Sequence, residues 1–315
     1  MAEKMSTRDA YGKALLQLGE TNPHVVVLDA DLWTSTRTQK FRERWPERFV
    51  DVGIAEQTLV GVAAGLALEG KIPFASSFAC FGARGWEQFR VSVGIAQVNV
   101  KLAFTHGGLT VGEDGASAQM LEDIALWRVV PGMVVMVPAD GIEAEKATLA
   151  AAEHVGPVYL RFGRSSEPVL FPEDYDFRIG KAAKLREGGD VTLVACGIMT
   201  ARALQAAEQL AAENLAAAVL NVATVKPIDA EALAEAARAT GALVTAEEHQ
   251  LHGGLGSAVA EVLAQTCPVP IEMVGVNDTY GESGKPDELL DKYGLTVEAI
   301  VEAARKAVAR KNGGS

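Results

Sequence analysis

The sequence predicts an α/β fold of two doubly wound domains, each a three-layer α/β/α arrangement. Three observations support this prediction. Short apolar runs alternate with longer helical patterns, and the runs are apolar on both faces, as buried parallel strands are. The alternation also breaks once, after residue 163, and then resumes. Repeated strand–helix alternation is typical of a parallel sheet with helices on both sides.

The first series predicts five strands in a domain that we assign to residues 1–175. A helix is expected over 55–70, because small and apolar residues dominate this stretch and Gly70 is a natural C-cap. The predicted strands are HVVVLDA (24–30), KIPFAS (71–76), VKLAFTH (100–106), MVVMVPA (133–139) and PVYLRFG (157–163).

The second series predicts a smaller α/β domain at residues 190–315. A stretch rich in proline, glycine and charge separates it from the first domain, and within that stretch we assign 176–189 as the linker. Strands are expected at DVTLVACG, AAAVLNVA, ALVTAEE and VPIEMVGV, and helices at ARALQAAEQLAAE, at DAEALAEAARAT and from about Leu255.

The composition limits the classes of function. The chain has 315 residues, 49% of them hydrophobic and 22% charged, as in a folded protein with two ordinary cores. A net charge of −12 disfavours binding to nucleic acid or to an anionic membrane surface. Three cysteines without a CxxC pair disfavour a disulfide framework or a zinc site. The N-terminal segment lacks the apolar core of a signal peptide, which predicts a cytoplasmic protein.

One acidic residue stands out in the segment FVDVGIAEQTLVGVAAGLAL (49–68). Glu56 opens a predicted helix that is otherwise almost wholly small or apolar. Its carboxylate could cap the helix N-terminus, where the helix dipole favours negative charge. Alternatively, the carboxyl group could lie in an apolar pocket and share a proton with a ligand. Taken alone, the segment favours the capping interpretation.

Two further segments favour a binding site. The segment PFASSFACFGARGWEQFR (73–90) puts Phe78 and Phe81 at a strand-to-helix junction, where they suit either a core or a platform for a planar heterocycle. The segment THGGLTVGEDGASAQ (105–119) leaves a strand end as a glycine-rich loop and carries His106. Because open α/β sheets bind ligands at the carboxyl ends of their strands, His106 is a candidate site residue.

Taken in order along the chain, these segments resemble the pyrimidine-binding and C-terminal domains of transketolases. These enzymes use thiamine diphosphate to transfer two-carbon units between sugars. The likeness covers essentially the whole chain. The matching segments are STRDA (6–10), LDADLWTS (28–35), DVGIAEQ (51–57), FACF (78–81), TH (105–106), GEDG (112–115), YLRFGRS (159–165), TVKPID (224–229), EEHQLHGGLGSAV (247–259) and YGESGKPDELLDKYGL (280–295).

The resemblance implies which residues contact the cofactor. Glu56 would be the catalytic glutamate that hydrogen-bonds to N1′ of the aminopyrimidine and favours the imino tautomer. Phe81 would stack on the aminopyrimidine with Phe78 flanking it. Asp31 and Leu32 would complete the cofactor pocket.

The resemblance also implies a set of substrate contacts. His106, the second catalytic residue implied, would orient and polarise the oxygens of the sugar. Asp114 would contact a sugar hydroxyl. Arg8, Ser35 and Arg164 would hold the terminal phosphate, for which arginine suits bidentate contact.

Two departures from the family pattern bear on function. Full-length transketolases bind the diphosphate and its metal through an earlier domain with a Gly-Asp-Gly motif, which this sequence lacks. We therefore expect a separate N-terminal transketolase subunit to hold the diphosphate and Mg²⁺ (or Ca²⁺ or Mn²⁺), in a heterotetramer with two copies of each chain. Ala118 also stands where many transketolases have a histidine that contacts the substrate, which leaves room for a different sugar.

The implied function is that of the C-terminal subunit of a two-subunit transketolase, inactive alone, that acts on sugar phosphates in the pentose phosphate pathway. The first alternative is a different enzyme of this group, the β subunit of a 2-oxo acid dehydrogenase or a deoxyxylulose phosphate synthase. The second is a non-catalytic regulatory or scaffolding subunit. The sequence leaves open whether His249 and His252 do more than cap or pack, although a structural role is favoured.

Overall fold

In the computed structural model, which describes residues 4–314, strands and helices alternate through most of the chain. Short 3₁₀ or π segments interrupt the alternation at Pro46–Arg48, Ala83–Gly85, Arg90–Gly94 and Leu109–Asp114. The strands are β1 (Lys4–Ser6), β2 (Val25–Asp29), β3 (Phe49–Asp51), β4 (Ile72–Phe78), β5 (Lys101–Thr105), β6 (Val134–Met136), β7 (Val158–Arg161), β8 (Ser166–Pro168), β9 (Ala183–Arg186), β10 (Val191–Ala195), β11 (Ala217–Asn221), β12 (Thr224–Lys226), β13 (Leu243–Gln250) and β14 (Ile271–Val276). The helices are α1 (Thr7–Thr21), α2 (Gln39–Arg44), α3 (Glu56–Leu68), α4 (Ala79–Gly82), α5 (Trp86–Phe89), α6 (Asp123–Arg128), α7 (Gly141–Glu153), α8 (Met199–Ala212), α9 (Ala230–Thr240), α10 (Leu255–Thr266), α11 (Pro286–Lys292) and α12 (Val297–Lys311).

The first sheet has the strand order β12-β6-β7-β5-β4-β2-β3. All of its neighbouring pairs are parallel except β12 with β6. Helices α1, α2 and α7 supply the buried apolar side chains on one face, and α3, α5 and α6 supply those on the other. This is the sandwich that the alternation of apolar strands and helices predicts.

The second sheet has the order β14-β13-β10-β11-β9, with only the edge strand β9 antiparallel to its neighbour. Helices α8 and α12 pack on one face, while α9 and α10 pack on the other. The residues under α9 and α10 belong to a core cluster that continues into the first domain. The two domains therefore share buried apolar surface.

The fold class predicted from the sequence is confirmed, since both domains have a parallel core covered by helices. All five strands predicted in the first domain form, as does the helix that ends before Gly70. Two details differ from the predicted boundaries. Strand β9 lies inside the predicted linker 176–189, so the second sheet begins before residue 190. Strand β12 comes from the second series but pairs with the first sheet.

The connections of the first sheet define where a ligand can bind. From β2 the chain crosses to β3 on one side and then returns to β4 on the other. The loops that follow β2 and β4 therefore diverge at a topological switch point, where open α/β sheets bind ligands. No α-helix within residues 4–314 has the length and apolar character that crossing a membrane requires.

Candidate active site

The candidate site lies at the carboxyl ends of neighbouring parallel strands of the first sheet. Glu56 follows β3, Phe78 ends β4, His106 follows β5 and Arg164 follows β7. Arg8 reaches the same edge from the first turn of α1. The structure thus brings together residues that lie up to 156 positions apart in sequence (164 − 8).

Glu56 is buried at the first position of α3, and its side chain faces a single cationic partner. Only 4% of the residue is exposed, and its carboxylate lies 3.6 Å from the guanidinium of Arg84. Arg84 itself is largely exposed and also covers the ring of Phe81, with its guanidinium carbon 5.6 Å from the ring centroid. Arg84 therefore links the carboxylate to the aromatic residues, a role that the sequence did not reveal.

Three rings form a continuous stack beside Arg84. The rings of Phe81 and Phe78 have centroids 5.4 Å apart and planes inclined by 12°. The imidazole of His106 also stacks on Phe78, with 3.6 Å between centroids and planes inclined by 21°. Phe78 is buried whereas Phe81 is half-buried, so Phe81 is the phenylalanine of the stack that is more accessible to a planar ligand.

His106 is a neutral hydrogen-bonding group at the end of this stack. Burial, together with the positive charges of Arg8, Arg164 and Arg37, lowers the pKa of His106 to about 3. Its Nε2 lies 3.3 Å from Nη1 of Arg8, which can only donate. Nδ1 therefore carries the proton and donates to Oγ1 of Thr105 at 2.7 Å. His106 has a φ of +61°, a backbone conformation that non-glycine residues adopt rarely and often at functional sites.

Arg8 and Ser35, two of the predicted phosphate contacts, lie next to each other. Nη1 of Arg8 donates to the backbone carbonyl oxygen of Ser35 at 3.1 Å. Burial and the nearby charges of Arg37 and Arg164 lower the pKa of Arg8, although Asp9 opposes this effect. Two further arginines close to Arg8 create a local positive field in a chain of net charge −12.

Arg164 is paired with the acids of the glycine-rich loop, which we define as residues 106–119. Its Nη1 donates to the carbonyl oxygen of Val111 at 2.5 Å. The same nitrogen lies 3.6 Å from carboxylate oxygens of both Glu113 and Asp114. Asp114 is therefore close to the predicted phosphate contact Arg164, although its sequence-implied partner is a sugar hydroxyl.

The loop after β2 is organised by an acid that the sequence analysis did not select. Asp29 is fully buried, and its carboxylate accepts hydrogen bonds from the amide of Leu32 at 2.6 Å and from the hydroxyls of Thr36 and Thr38 at 2.6 and 3.0 Å. Burial raises the pKa of Asp29 to about 6. The signal available in the sequence was an acid at the end of the apolar run VVVLD.

The two cofactor residues predicted in this loop occupy different environments. Asp31 is exposed, with a φ of +61°, and its amide donates to Oδ1 of Asp51 at 3.2 Å. The same oxygen accepts the amide of Gly53, just before Glu56, at 3.0 Å. Leu32 is half-buried and is held by Asp29. The loops after β2 and β3 are therefore joined near the predicted catalytic glutamate.

The residues whose roles the sequence left open lie outside the ring stack. His249 is buried, donates from Nδ1 to the carbonyl oxygen of Gln250 at 2.7 Å, and accepts the amide of Ala125 at Nε2 over 3.3 Å. These contacts give it a structural role between the domains. His252 is exposed, whereas Ala118 is buried within the glycine-rich loop.

Comparison with known protein families identifies the fold that carries this site. The model of the transketolase pyrimidine-binding domain matches residues 3–168, and that of the transketolase C-terminal domain matches residues 180–300. The chain belongs to the transketolase family. The gap between the two matched regions, residues 169–179, lies just before β9 of the second sheet.

Similar transketolase proteins span nearly the same length as this chain. The 6-deoxy-6-sulfo-D-fructose transketolase subunit of Clostridium sp. (strain MSTE9) is 46% identical over 97% of this chain and 95% of its own length. A putative transketolase C-terminal section from Methanocaldococcus jannaschii is 45% identical over 94% of both chains. A solved structure described as a split gene transketolase, inactive beta4 tetramer, is 54% identical, with a TM-score of 0.91 over 98% of this chain and 100% of that one.

The residues of this transketolase chain fit the aminopyrimidine end of thiamine diphosphate, the cofactor that the family implies. Within residues 4–314, Arg84 at 3.6 Å is the one partner of the buried Glu56 carboxylate, at a distance longer than a hydrogen bond. Among these residues nothing donates a short hydrogen bond to the carboxyl group, and a ring nitrogen of the aminopyrimidine would supply one, with the half-buried ring of Phe81 close by for stacking. Among the described residues, no three acidic, histidine or cysteine side chains converge as metal ligands.

Proposed function

We propose that this chain is the C-terminal subunit of a two-subunit transketolase and is active only with a separate N-terminal subunit. The relatives that it matches over nearly their whole length are named as a transketolase subunit, a C-terminal section and a split gene product. The last of these is described as an inactive beta4 tetramer, where beta4 denotes the assembly and not a strand. These names favour an active site completed by another polypeptide over a self-sufficient enzyme.

The observation that carries this proposal is the exposed apolar surface next to the buried Glu56. Ile54, two residues before Glu56, is 77% exposed, and Leu68 at the other end of α3 is 73% exposed. Between them, Gly61 and Gly65 face open space. Exposed apolar surface of this kind is typical of a protein–protein interface. The N-terminal subunit would cover it and close the cofactor site.

The chain's own residues would hold the reactive end of the cofactor and the substrate. When bound, thiamine diphosphate supplies a carbanion-stabilising centre that takes a two-carbon ketol unit from a ketose and passes it to an aldose. Glu56 would hold a proton at N1′ of the aminopyrimidine, and Phe81 would fix the plane of that ring. Neutral His106 would orient the sugar's oxygens, and the apolar ring stack would exclude water from them.

The arginines would select an anionic substrate. Arg8 and Arg164 lie near His106, and Ser35 is within hydrogen-bond reach of Arg8. A phosphate at the end of a sugar chain suits this arrangement, since guanidinium groups bind phosphate in a bidentate manner. A sugar sulfonate is the second candidate, because one relative is named for a sulfo-sugar. A sugar phosphate would connect the enzyme to the pentose phosphate pathway in the cytoplasm.

The diphosphate and its metal, Mg²⁺ or alternatively Ca²⁺ or Mn²⁺, would be held mainly by the N-terminal subunit. Two copies of each chain in a heterotetramer would then form two sites. Asp31 and Leu32, in the loop fixed by Asp29, would contact the cofactor at the subunit interface. A non-catalytic regulatory or scaffolding role is the alternative, in which the same fold would bind a partner without turnover.

Calorimetric titration of thiamine diphosphate with Mg²⁺ tests the proposal. We would titrate this chain alone, the N-terminal subunit encoded beside it, and their mixture. Binding to the mixture only, followed by ketol transfer from a ketose phosphate, is the expected result. Tight binding to the isolated chain would contradict a shared site. Binding to the mixture without turnover on phosphorylated or sulfonated sugars would favour the non-catalytic alternative.

A further inference from the structure

A carboxylate from the second domain lies directly beneath the glycine-rich loop. Glu248 belongs to β13, and its Oε1 accepts the backbone amide of Thr110 at 2.7 Å across 138 residues of sequence. Gly108, two residues after His106 in the same loop, packs so closely on this carboxylate that an added Cβ would overlap it. The φ of Gly108 is +92°, so the turn itself also depends on glycine.

The Glu248 carboxylate is held in a fixed position. It is buried, and its own backbone carbonyl accepts a hydrogen bond from Nη2 of Arg161 at 3.0 Å. Arg161 is in turn fixed by an ion pair with Asp123, in which Nε lies 2.7 Å from Oδ2. Burial raises the pKa of Glu248 to about 6, while the positive charge of Arg161 opposes this effect. Burial of the side chain and the anchored backbone of Glu248 therefore restrain the acceptor.

The second domain holds the rest of the loop as well. Nε2 of Gln119, at the loop's end, donates to the carbonyl oxygen of Glu282 at 2.9 Å. The same nitrogen lies 3.2 Å from the carbonyl oxygen of Leu109 and 3.3 Å from that of Gly112, so one side chain joins both halves of the loop to the second domain. Glu248 is the acidic member of this set of contacts, and it also packs against Gly108, two residues after His106.

We propose that Glu248 is a positioning residue for the active site, which sets the geometry of the glycine-rich loop and through it substrate affinity. The loop begins at His106 and carries Asp114, two residues that the proposed function assigns to the sugar. A charge-assisted hydrogen bond to a backbone amide fixes a loop more strongly than a neutral one. The second domain would therefore tune the substrate site as well as stabilise the fold. This inference rests on the proposed function.

The test compares substitutions that keep volume but change the acceptor. Glu248→Met removes the acceptor, whereas Glu248→Gln keeps a neutral oxygen that can accept the amide of Thr110. Glu247→Met is the matched control, because Glu247 is a buried neighbour on β13 whose carboxylate accepts the amides of Leu255 and Gly256 at the start of α10. This substitution removes a buried hydrogen-bond acceptor that bonds to the start of α10 and not to the glycine-rich loop.

The first readout is amide hydrogen exchange of the loop peptide in the chain itself, which requires no activity. We expect Glu248→Met to increase exchange across residues 106–119 at least tenfold, Glu248→Gln to restore most of the protection, and Glu247→Met to leave the loop unchanged. Equal exchange in wild type and Glu248→Met would overturn the proposal. If Glu248→Met does not fold, Gly108→Ala displaces the loop from the same carboxylate and should give the same local increase.

The second readout is steady-state kinetics of the complex with the N-terminal subunit. We expect Glu248→Met to raise KM for the ketose donor roughly tenfold or more, the effect of losing about one charge-assisted hydrogen bond, while the affinity for thiamine diphosphate stays within about twofold. A fall in kcat with unchanged KM would contradict the positioning role. Absence of ketol transfer in the wild-type complex would instead refute the proposed function and leave the exchange result intact.

Discussion

The side chains of Arg8 and His106 share one hydrogen bond, in which Nη1 of Arg8 donates to Nε2 of His106 at 3.3 Å. Arg8 belongs to the first turn of α1, whereas His106 follows β5, so the contact closes one side of the site. It also requires Nε2 of His106 to be unprotonated, because an N–H group at this nitrogen would face the N–H groups of the guanidinium. Burial, followed by the charge of Arg8, is the main reason that the pKa of His106 is lowered.

Because His106 is neutral in the folded chain, we predict that it makes the protein sensitive to acid. Its pKa is about 3 in the folded state against 6.5 for the free side chain, so the unfolded chain takes up the proton first. The stability that neutral His106 contributes is complete above pH 6.5 and is lost as the pH falls from 6.5 toward 3. At pH 5 the loss is about 2 kcal/mol, from 1.36 kcal/mol per pKa unit.

The substitution that tests this pH dependence is His106→Asn, since asparagine tolerates a positive φ. Between pH 7.5 and pH 5, the free energy of unfolding measured with urea should fall less for His106→Asn than for wild type. His252→Asn, which replaces an exposed histidine, should follow the wild-type curve. Parallel curves for wild type and His106→Asn would show that His106 titrates normally in the folded protein.

Glu56→Gln should separate catalysis from folding. The amide keeps the size of the buried side chain but cannot hold the shared proton that the aminopyrimidine requires, so we expect kcat of the two-subunit complex to fall at least a hundredfold. The melting temperature of the chain should change by only a few degrees. Glu69→Gln, an exposed residue just after α3, is the control and should retain wild-type activity. Near-normal turnover in Glu56→Gln would remove Glu56 from the mechanism.

Arg8→Met should weaken binding of anionic sugars specifically. The substitution removes the partly buried guanidinium that is proposed to bind the phosphate. Because charge-assisted hydrogen bonds are stronger than neutral ones, KM for a ketose phosphate should rise roughly tenfold or more. KM for a neutral ketose, such as an unphosphorylated sugar, should rise much less. Lys13→Met removes an exposed cation from the same helix and serves as the control for net charge. Equal losses for phosphorylated and neutral donors would show that Arg8 acts through His106 rather than on the phosphate.

The sequence revealed the parts of the site that depend on local patterns. Strand ends follow from apolar runs, so the positions of Phe78 and His106 at one edge of the sheet could be anticipated from alternation and the switch-point rule. The strand β12 could not, because three residues carry too little periodicity to reveal a pairing across domains. The contact of Glu248 with Thr110 was equally hidden, since it depends on how two sheets pack. The only local sign was an acid within the apolar run ALVTAEE.

The ion pair of Asp123 and Arg161 should dominate the stability at the domain junction. Both side chains are buried, Nε of Arg161 lies 2.7 Å from Oδ2 of Asp123, and the same oxygen accepts the hydroxyl of Tyr159 at 2.6 Å. Asp123→Asn would leave the guanidinium buried without its counter-charge, which typically costs about 3–5 kcal/mol. Since Arg161 also donates to the backbone of Glu248, both domains should unfold at lower urea concentration.

A matched surface pair distinguishes this effect from a general loss of charge. Glu302→Gln breaks the pair of Glu302 with Lys306, which lies on the exposed face of α12, and exposed pairs contribute little. Urea unfolding followed by fluorescence and by circular dichroism should give one coincident transition, shifted strongly in Asp123→Asn and hardly in Glu302→Gln. If Asp123→Asn unfolded at the wild-type urea concentration, the buried pair would contribute little to stability, and the two domains would be held together by the contacts of Glu248 with Thr110 and of Gln119 with Glu282 and by the shared apolar core.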